Sequence, residues 1–121
     1  MVAVRLDQLR SHPELCRKPA DGYGNVYWIR PIFSASESNG YTGVTVQDFP
    51  HRLASHLCKN SRCLAINAAL NKHGLQNFTV EFPEANVPVS QLHVREVYWV
   101  DKNDTYLNGY NCTKGGEEMP L

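Results

Sequence analysis

The chain lacks two features that define whole classes of protein. It has no apolar run near the roughly 20 residues needed to cross a bilayer. Its first residues alternate charged side chains with short apolar stretches and do not form a signal-peptide core. We therefore expect an intracellular protein, in the cytoplasm or the nucleus, that is neither secreted nor bound to a membrane. Its hydrophobic content of 42% is ordinary for one globular domain.

Cysteine is present, but never in the C-x-x-C spacing that is typical of zinc sites. In an intracellular protein we expect the four cysteines, Cys16, Cys58, Cys63 and Cys112, to be reduced and partly buried. An alternative interpretation is a zinc-stabilised interaction domain. Its ligands would be Cys58 and Cys63 together with His51 or His56.

The chain also lacks net charge, because 12 basic residues balance 12 acidic ones. The distribution is uneven, since residues 49–80 contain no Asp or Glu but several basic residues and histidines. A polyanion would be attracted to this middle third. Candidate contacts to a DNA backbone are Lys59, Arg62, Lys72 and His73. A solvated pair of basic helices would show the same charges.

The sequence divides into a lead-in segment, residues 1–24, and a domain proper, residues 25–121. Leu6, Leu9 and Leu15 could pack one side of a short helix in the lead-in, which Pro13 interrupts. The turn-rich stretch 19–24 then connects it to the domain.

The first half of the domain predicts a β-hairpin followed by a helix. Residues 25–30 and 41–46 are rich in β-formers and should pair as antiparallel strands across a long polar loop. Asp48 can cap a helix whose apolar face carries Phe49, Leu53 and Leu57. Arg52 and His56, four residues apart, share a neighbouring face of that helix.

The second half predicts helix, strand and helix. A helix from about residue 63 to 73 would end at Gly74, and residues 78–82 alternate as in a strand with one buried face. Residues 83–88, bounded by prolines, are predicted to form a loop before a helix over 90–100. The order β-β-α-α-β-α predicts an α+β domain with a small antiparallel sheet of three strands flanked by helices.

Together these residues resemble the GIY-YIG endonuclease family over most of the chain. The matching blocks, in chain order, are Asn25-Val26-Tyr27, Tyr41-Thr42-Gly43, Arg52 with His56, Leu70 to Phe78, Glu96 within Arg95 to Trp99, and Asn108 to Gly116. The first block departs from the family pattern because Asn25 replaces glycine. Each block alone is a weak signal, and the resemblance depends on their shared order and spacing.

The resemblance implies a metal-dependent DNA endonuclease that leaves 5′-phosphate and 3′-hydroxyl ends. It also implies Mg²⁺ as the cofactor, with Mn²⁺ able to substitute. The site residues that it implies are Tyr27, Tyr41, Arg52, His56, Glu96 and Asn111, with Glu96 as the metal ligand.

The chemistry of these side chains suits the implied roles. A single carboxylate, Glu96, with water and substrate oxygens is a usual way to hold Mg²⁺ and favours a one-metal mechanism. The guanidinium of Arg52 suits a scissile phosphate. We favour Tyr27 as general base, although its pKa, about 10 in a free side chain, would have to be lowered by the metal or Arg52. Tyr41 would hydrogen-bond the water or the phosphate.

Two of the implied site residues have supporting roles. His56 would act as a proton relay or a phosphate ligand, and Asn111 would support the site by hydrogen bonding without reacting. One active site cuts one strand at a time, so a double-strand break needs a homodimer, a partner chain or two encounters. Because no separate DNA-binding region follows Gly116, specificity would come from this domain, from residues 1–24 or from such a partner. The alternative from another class is a catalytically inactive DNA-binding module with the same fold.

Overall fold

A computed structural model describes residues 3–33, 38–58, 61 and 63–116. The chain forms an antiparallel four-stranded sheet in the order β1-β4-β2-β3. The strands are β1 (Val4–Arg5), β2 (Tyr23–Pro31), β3 (Tyr41–Thr45) and β4 (Phe78–Pro88). The α-helices are α1 (Phe49–Leu57), α2 (Leu64–His73) and α3 (Val89–Asn103), and short 3₁₀ helices span Leu6–Ser11, Pro13–Cys16 and Leu75–Asn77.

The helices cover both faces of the sheet. Tyr27 and Ile29 of β2 join Phe49, Ile66 and other residues of α1 and α2 in the larger core cluster. Val26 and Val44 point to the opposite face, where they pack with Leu92 of α3 in a smaller cluster. Because side chains alternate along a strand, neighbouring residues of β2 serve different helices. The predicted α+β class is confirmed.

The predicted hairpin and helix starts are present. Strands β2 and β3 pair antiparallel, with Tyr27 opposite Gly43 and Ile29 opposite Tyr41. The side chain of Asp48 accepts a hydrogen bond from the backbone N–H of His51 at 2.9 Å and caps α1 as expected. The predicted helix ending at Gly74 is α2, and Gly74 has the positive φ of 84° that favours glycine.

The prediction of a loop over residues 83–88 is wrong, because β4 continues to Pro88. The register between β2 and β4 shifts twice, so that β4 carries an extra residue on each side of Glu84. Pro83 falls in one of these bulges, where a missing N–H costs no ladder hydrogen bond, and Asn86 in the other adopts a positive φ of 56°. Of the two prolines that suggested a loop, Pro83 therefore marks a bulge, and Pro88 ends the strand opposite Tyr23.

The first residues contribute a strand that the sequence did not predict. Val4 and Arg5 pair with Val80 and Thr79 of β4, which adds a fourth strand to the predicted three. The expected short helix is replaced by two 3₁₀ helices that meet near Pro13. Leu6 and Leu9 are buried in the larger core cluster with α1 and α2. Among the described residues, no helix is long and apolar enough to cross a membrane.

Candidate active site

The site begins with two tyrosines on the same face of the hairpin. Tyr27 lies opposite Gly43, and its ring centroid is 6.2 Å from that of Tyr41, which lies opposite Ile29. A Cβ at position 43 would come within 2.5 Å of Tyr27 Cζ and 2.9 Å of Tyr41 Cε1. Glycine is therefore required at position 43, because a side chain there would overlap the two phenol rings.

Helix α1 brings two further side chains to the Tyr27 hydroxyl. His56 Nε2 is 2.7 Å from that oxygen, and Arg52 Nε donates to it at 3.3 Å. The two residues are one helical turn apart, so one face of α1 delivers both. If the hydroxyl donates to His56 while accepting from Arg52, both contacts are satisfied at once.

Burial determines the protonation of this group. Desolvation raises the pKa of Tyr27 to about 12, although the charge and the hydrogen bond of Arg52 act to lower it. His56 is 1% exposed, and burial followed by the charge of Arg52 lowers its pKa to about 3. At neutral pH Tyr27 is therefore a neutral phenol and His56 a neutral imidazole. The activation of Tyr27 that we anticipated from Arg52 is present but is outweighed by burial.

Tyr41 contacts the same cluster but bonds a different residue. Its hydroxyl lies 3.2 Å from Cys63 Sγ, at the residue that precedes α2, and its ring packs edge-on against His56 at 4.9 Å between centroids. Burial raises the pKa of Tyr41 well above its usual range. Cys63 and His56 thus have tyrosine partners in place of the zinc that the alternative interpretation gave them. No group of three or more His, Cys, Asp or Glu side chains that could hold a metal occurs in the described ranges.

Asn111 fixes the segment after α3 to the back of the site. Its side-chain amide accepts from the Thr42 N–H and donates to the Thr42 carbonyl, both at 2.9 Å. On the other side of the strand the hydroxyl of Thr42 accepts from Thr105 at 3.0 Å and from Asn103 at 3.2 Å. Thr42 lies between Tyr41 and Gly43, so Asn111 secures the part of β3 that carries the tyrosine site.

Glu96 approaches from α3, on the other face of the sheet. Its side chain is 16% exposed, and its Oε1 accepts from the Gly116 N–H at 2.9 Å. Gly115 and Gly116 both have positive φ, and a Cβ on Gly115 would press on the Glu96 carboxylate. The neighbouring Val97 is 41% exposed, so the contacts around the Glu96 carboxylate come from the glycine pair.

The charge of Glu96 links it to the tyrosine group. The charge of Glu96 is near enough to raise the pKa of Tyr27 further. Hydrogen bonds and ring contacts join Tyr27, Tyr41, Arg52 and His56 directly. Asn111 is joined to them through Thr42, and Glu96 through its charge.

Two of the four DNA-contact candidates, Lys72 and His73, fall within the described residues. Lys59 and Arg62 lie outside the described residues. Lys72 is exposed on α2, whereas His73 is partly buried and stacks on Phe33 at 4.4 Å between ring centroids. His73 therefore has a packing role in addition to its predicted one.

Sequence reasoning missed three contributors to the site. It treated Gly43 as part of a motif only, Cys63 as a zinc candidate, and it did not single out His93. His93 Nδ1 lies 3.7 Å from Glu96 Oε1, one turn earlier on α3. The three-residue spacing of His93 and Glu96 was a readable signal, but the Tyr41–Cys63 contact joins residues with no sequence relation.

Fold and site together define a nuclease domain of the α+β class. The family model described as the GIY-YIG catalytic domain matches residues 23–111, and the chain belongs to this family. Among solved structures, it is similar to the catalytic domain of a mutant of the intron endonuclease I-TevI, with a TM-score of 0.59 and 21% identity, covering 76% of this chain and 95% of that one. At that identity the likeness supports the fold alone. A comparison with curated proteins gives no match.

Proposed function

We propose that this chain is a divalent-metal-dependent DNA endonuclease that hydrolyses phosphodiester bonds to 5′-phosphate and 3′-hydroxyl ends. The observation that supports it most is the Tyr27 hydroxyl, which lies between His56 and Arg52 and whose pKa the charge of Glu96 helps to raise. Family membership supports the nuclease class.

Arg52 binds the scissile phosphate in this proposal. Its Nε is engaged by Tyr27, so the terminal amino groups of the guanidinium would contact the phosphate oxygens. That contact neutralises charge that grows in the transition state. The hydrogen bond to Tyr27 fixes the direction of the arginine, so phosphate and tyrosine are positioned by the same interaction.

Tyr27 acts as the general base through proton transfer in two directions. Its pKa of about 12 excludes a resting phenolate at neutral pH. As the hydroxyl oxygen takes a proton from the attacking water, its own proton can pass to His56 Nε2, 2.7 Å away. Burial and Arg52 both oppose a positive charge on His56, so the proton would return to the Tyr27 oxygen as Tyr27 releases the proton of the attacking water, which ends on the leaving 3′-oxygen. Tyr41 orients the water or the phosphate, and Asn111 holds β3 in place.

Glu96 suits a divalent cation of the Mg²⁺ type. Its carboxylate is partly exposed, and the one contact of hydrogen-bond length that it makes with a described residue is from the Gly116 N–H to Oε1. It therefore has acceptor capacity for an ion. Mg²⁺ is usually held by one or two carboxylates, water and substrate oxygens, whereas a structural zinc needs four protein ligands. The bound ion would supply charge neutralisation at the leaving oxygen. We propose Mg²⁺, with Mn²⁺ as a substitute.

The substrate in this proposal is DNA in an intracellular setting, and a double-strand break requires a second copy, a partner chain or two encounters. Lys59, Arg62, Lys72 and His73 remain proposed backbone contacts. Because each chain has one active site, with one Glu96 and one Arg52, a monomer should nick one strand per encounter.

Supercoiled plasmid incubated with the protein and Mg²⁺ tests the proposal. We expect nicked and then linear DNA, and a loss of at least about 100-fold in rate for Glu96→Ala. Glu14→Ala is the control. It removes an exposed carboxylate that is distant from Glu96 in the sequence, and this variant should cut at the wild-type rate. The proposal fails if the wild type cuts no plasmid, branched or nicked DNA, or if Glu96→Ala is as active as the wild type. Binding without cleavage would favour the inactive DNA-binding module.

A further inference from the structure

His93 has a buried ring nitrogen without a hydrogen-bond partner. Its Nδ1 is fully buried and is the one such side-chain atom among the residues that the structure describes. The side chain as a whole is 29% exposed, so the exposure lies on its other atoms. A buried polar atom left unpaired costs free energy, and in native proteins such an atom often has a water or an ion as its partner.

Among the described residues, the carboxylate that pairs with this nitrogen is that of Glu96. His93 Nδ1 and Glu96 Oε1 are 3.7 Å apart, which is too far for a direct hydrogen bond. Two atoms that each bind one ion at about 2.1 Å lie between about 3.0 Å and about 4.2 Å apart, depending on their angle. The observed separation falls inside that interval, so one cation between the two atoms would satisfy both.

The backbone near Glu96 holds its carboxylate in a fixed position beside His93. The Gly116 N–H bonds Oε1, and positions 115 and 116 admit no side chain without pressing on Glu96 or Val97. His93 and Glu96 are three residues apart on α3 and thus neighbours on one helical face. The carboxylate is held from one side by the glycine pair, and the imidazole lies on the next turn.

We propose that His93, through Nδ1, is a second protein ligand of the divalent cation that Glu96 binds. The inference rests on the proposed function to the extent that Glu96 binds a cation. An imidazole nitrogen suits Mn²⁺ and later transition metals better than Mg²⁺. With one nitrogen and one carboxylate, the site should therefore prefer Mn²⁺ over Mg²⁺ more strongly than a carboxylate alone.

The probe is Mn²⁺ alone, titrated into the purified full chain and followed by electron paramagnetic resonance. Spin-echo spectroscopy of the bound Mn²⁺ reports ¹⁴N coupling directly, and competition with Mg²⁺ gives the relative affinities. In the wild type we expect ¹⁴N coupling. In His93→Gln we expect that coupling to vanish, Mn²⁺ binding to weaken by about tenfold or more and Mg²⁺ binding to change less. Glu96→Gln should weaken both metals.

A matched control exists in the same chain. His12 and Glu14 also place Nδ1 and Oε1 close together, at 3.3 Å, but on an exposed segment. His12→Gln should leave the ¹⁴N signal and both affinities unchanged.

Three results would overturn the inference. The first is no Mn²⁺ binding by the wild type, and the second is wild-type binding without ¹⁴N coupling. The third is an equal weakening of Mn²⁺ and Mg²⁺ in His93→Gln, which would mean that His93 only orients Glu96. The wild-type spectrum does not depend on how well any variant folds. A chain that shows ¹⁴N coupling but cuts no DNA would keep this inference and refute the proposed endonuclease.

Discussion

The two faces of the sheet hold their halves of the site in different ways. On the face of α1 and α2, Tyr27, Tyr41 and His56 are themselves core residues, and Tyr27 and Tyr41 belong to the larger buried cluster. On the face of α3, the buried cluster is smaller, and Glu96 is a partly exposed side chain held by a glycine backbone.

The difference shows how function and stability are linked in each half. A change in the tyrosine half alters packing, buried hydrogen bonds and protonation together, because the same atoms serve the core and the chemistry. A change at Glu96 alters local charge and little else. Catalysis and stability should therefore vary together on one face and separately on the other.

The largest effect on stability should come from Gly43→Ala. The added methyl overlaps the ring of Tyr27, and overpacking of this kind costs about 1 to 3 kcal/mol. We expect the free energy of unfolding in urea to fall by that amount and DNA cleavage to fall with it.

Gly22→Ala is the control, since a Cβ there meets nothing within 4 Å although its φ is +85°. It should lose stability through backbone strain alone and keep the wild-type cleavage rate. If Gly43→Ala is as stable as the wild type, the residues around Tyr27 and Tyr41 are not packed tightly enough to link stability and catalysis on that face of the sheet.

Acid should destabilise the protein through His56. Its folded pKa of about 3 is below the unfolded value near 6.5, so the unfolded state binds a proton first as pH falls. The stability from this residue is complete above about pH 6.5 and is lost between there and about pH 3. At pH 5 the loss is about 2 kcal/mol.

Urea unfolding at pH 7 and pH 5 measures this loss of free energy. Both pH values lie above the pKa of Glu84, which, despite desolvation, is lowered by the hydrogen bonds from Trp99 and Arg95. His56→Gln should be less stable at pH 7 but should lose less between the two pH values. If the variant loses as much unfolding free energy between pH 7 and pH 5 as the wild type, His56 is not buried as a neutral group.

The smallest effect on stability should come from Glu96→Gln. Glutamine keeps an oxygen for the Gly116 N–H, so the free energy of unfolding should stay within about 0.5 kcal/mol of the wild type. Cleavage should nevertheless fall by about 100-fold or more. A large loss of stability in this variant would remove the distinction between the two faces.

Local chemistry made several elements predictable. The cap at Asp48, the C-terminal Gly74 and the alternation of residues 78–82 each act within a few residues, and all three are present. The spacing of Arg52 and His56 predicted a shared helical face, and both side chains reach Tyr27. The order of the family blocks indicated which residues to expect at the site.

Other features depend on distant partners and could not be predicted in this way. β1 exists because residues 79 and 80 of β4 are available to pair with Val4 and Arg5. Pro83 and Pro88 are compatible with a loop and with a bulged strand, and only pairing with β2 selects the strand. The contact between Tyr41 and Cys63 likewise depends on where α2 begins relative to β3.

By itself, the sequence predicted the α+β class, the hairpin and the α-helices, because these follow from local periodicity and capping, and its ordered set of motifs is the basis on which we propose the six site residues. Only the tertiary structure decided their chemical state. Burial makes Tyr27 a neutral phenol and His56 a neutral imidazole, and the packing of α3 on the sheet places Glu96 near enough for its charge to raise the pKa of Tyr27. Desolvation and the charges of neighbouring groups depend on what surrounds an atom in space, and the residues that surround these atoms come from distant parts of the chain.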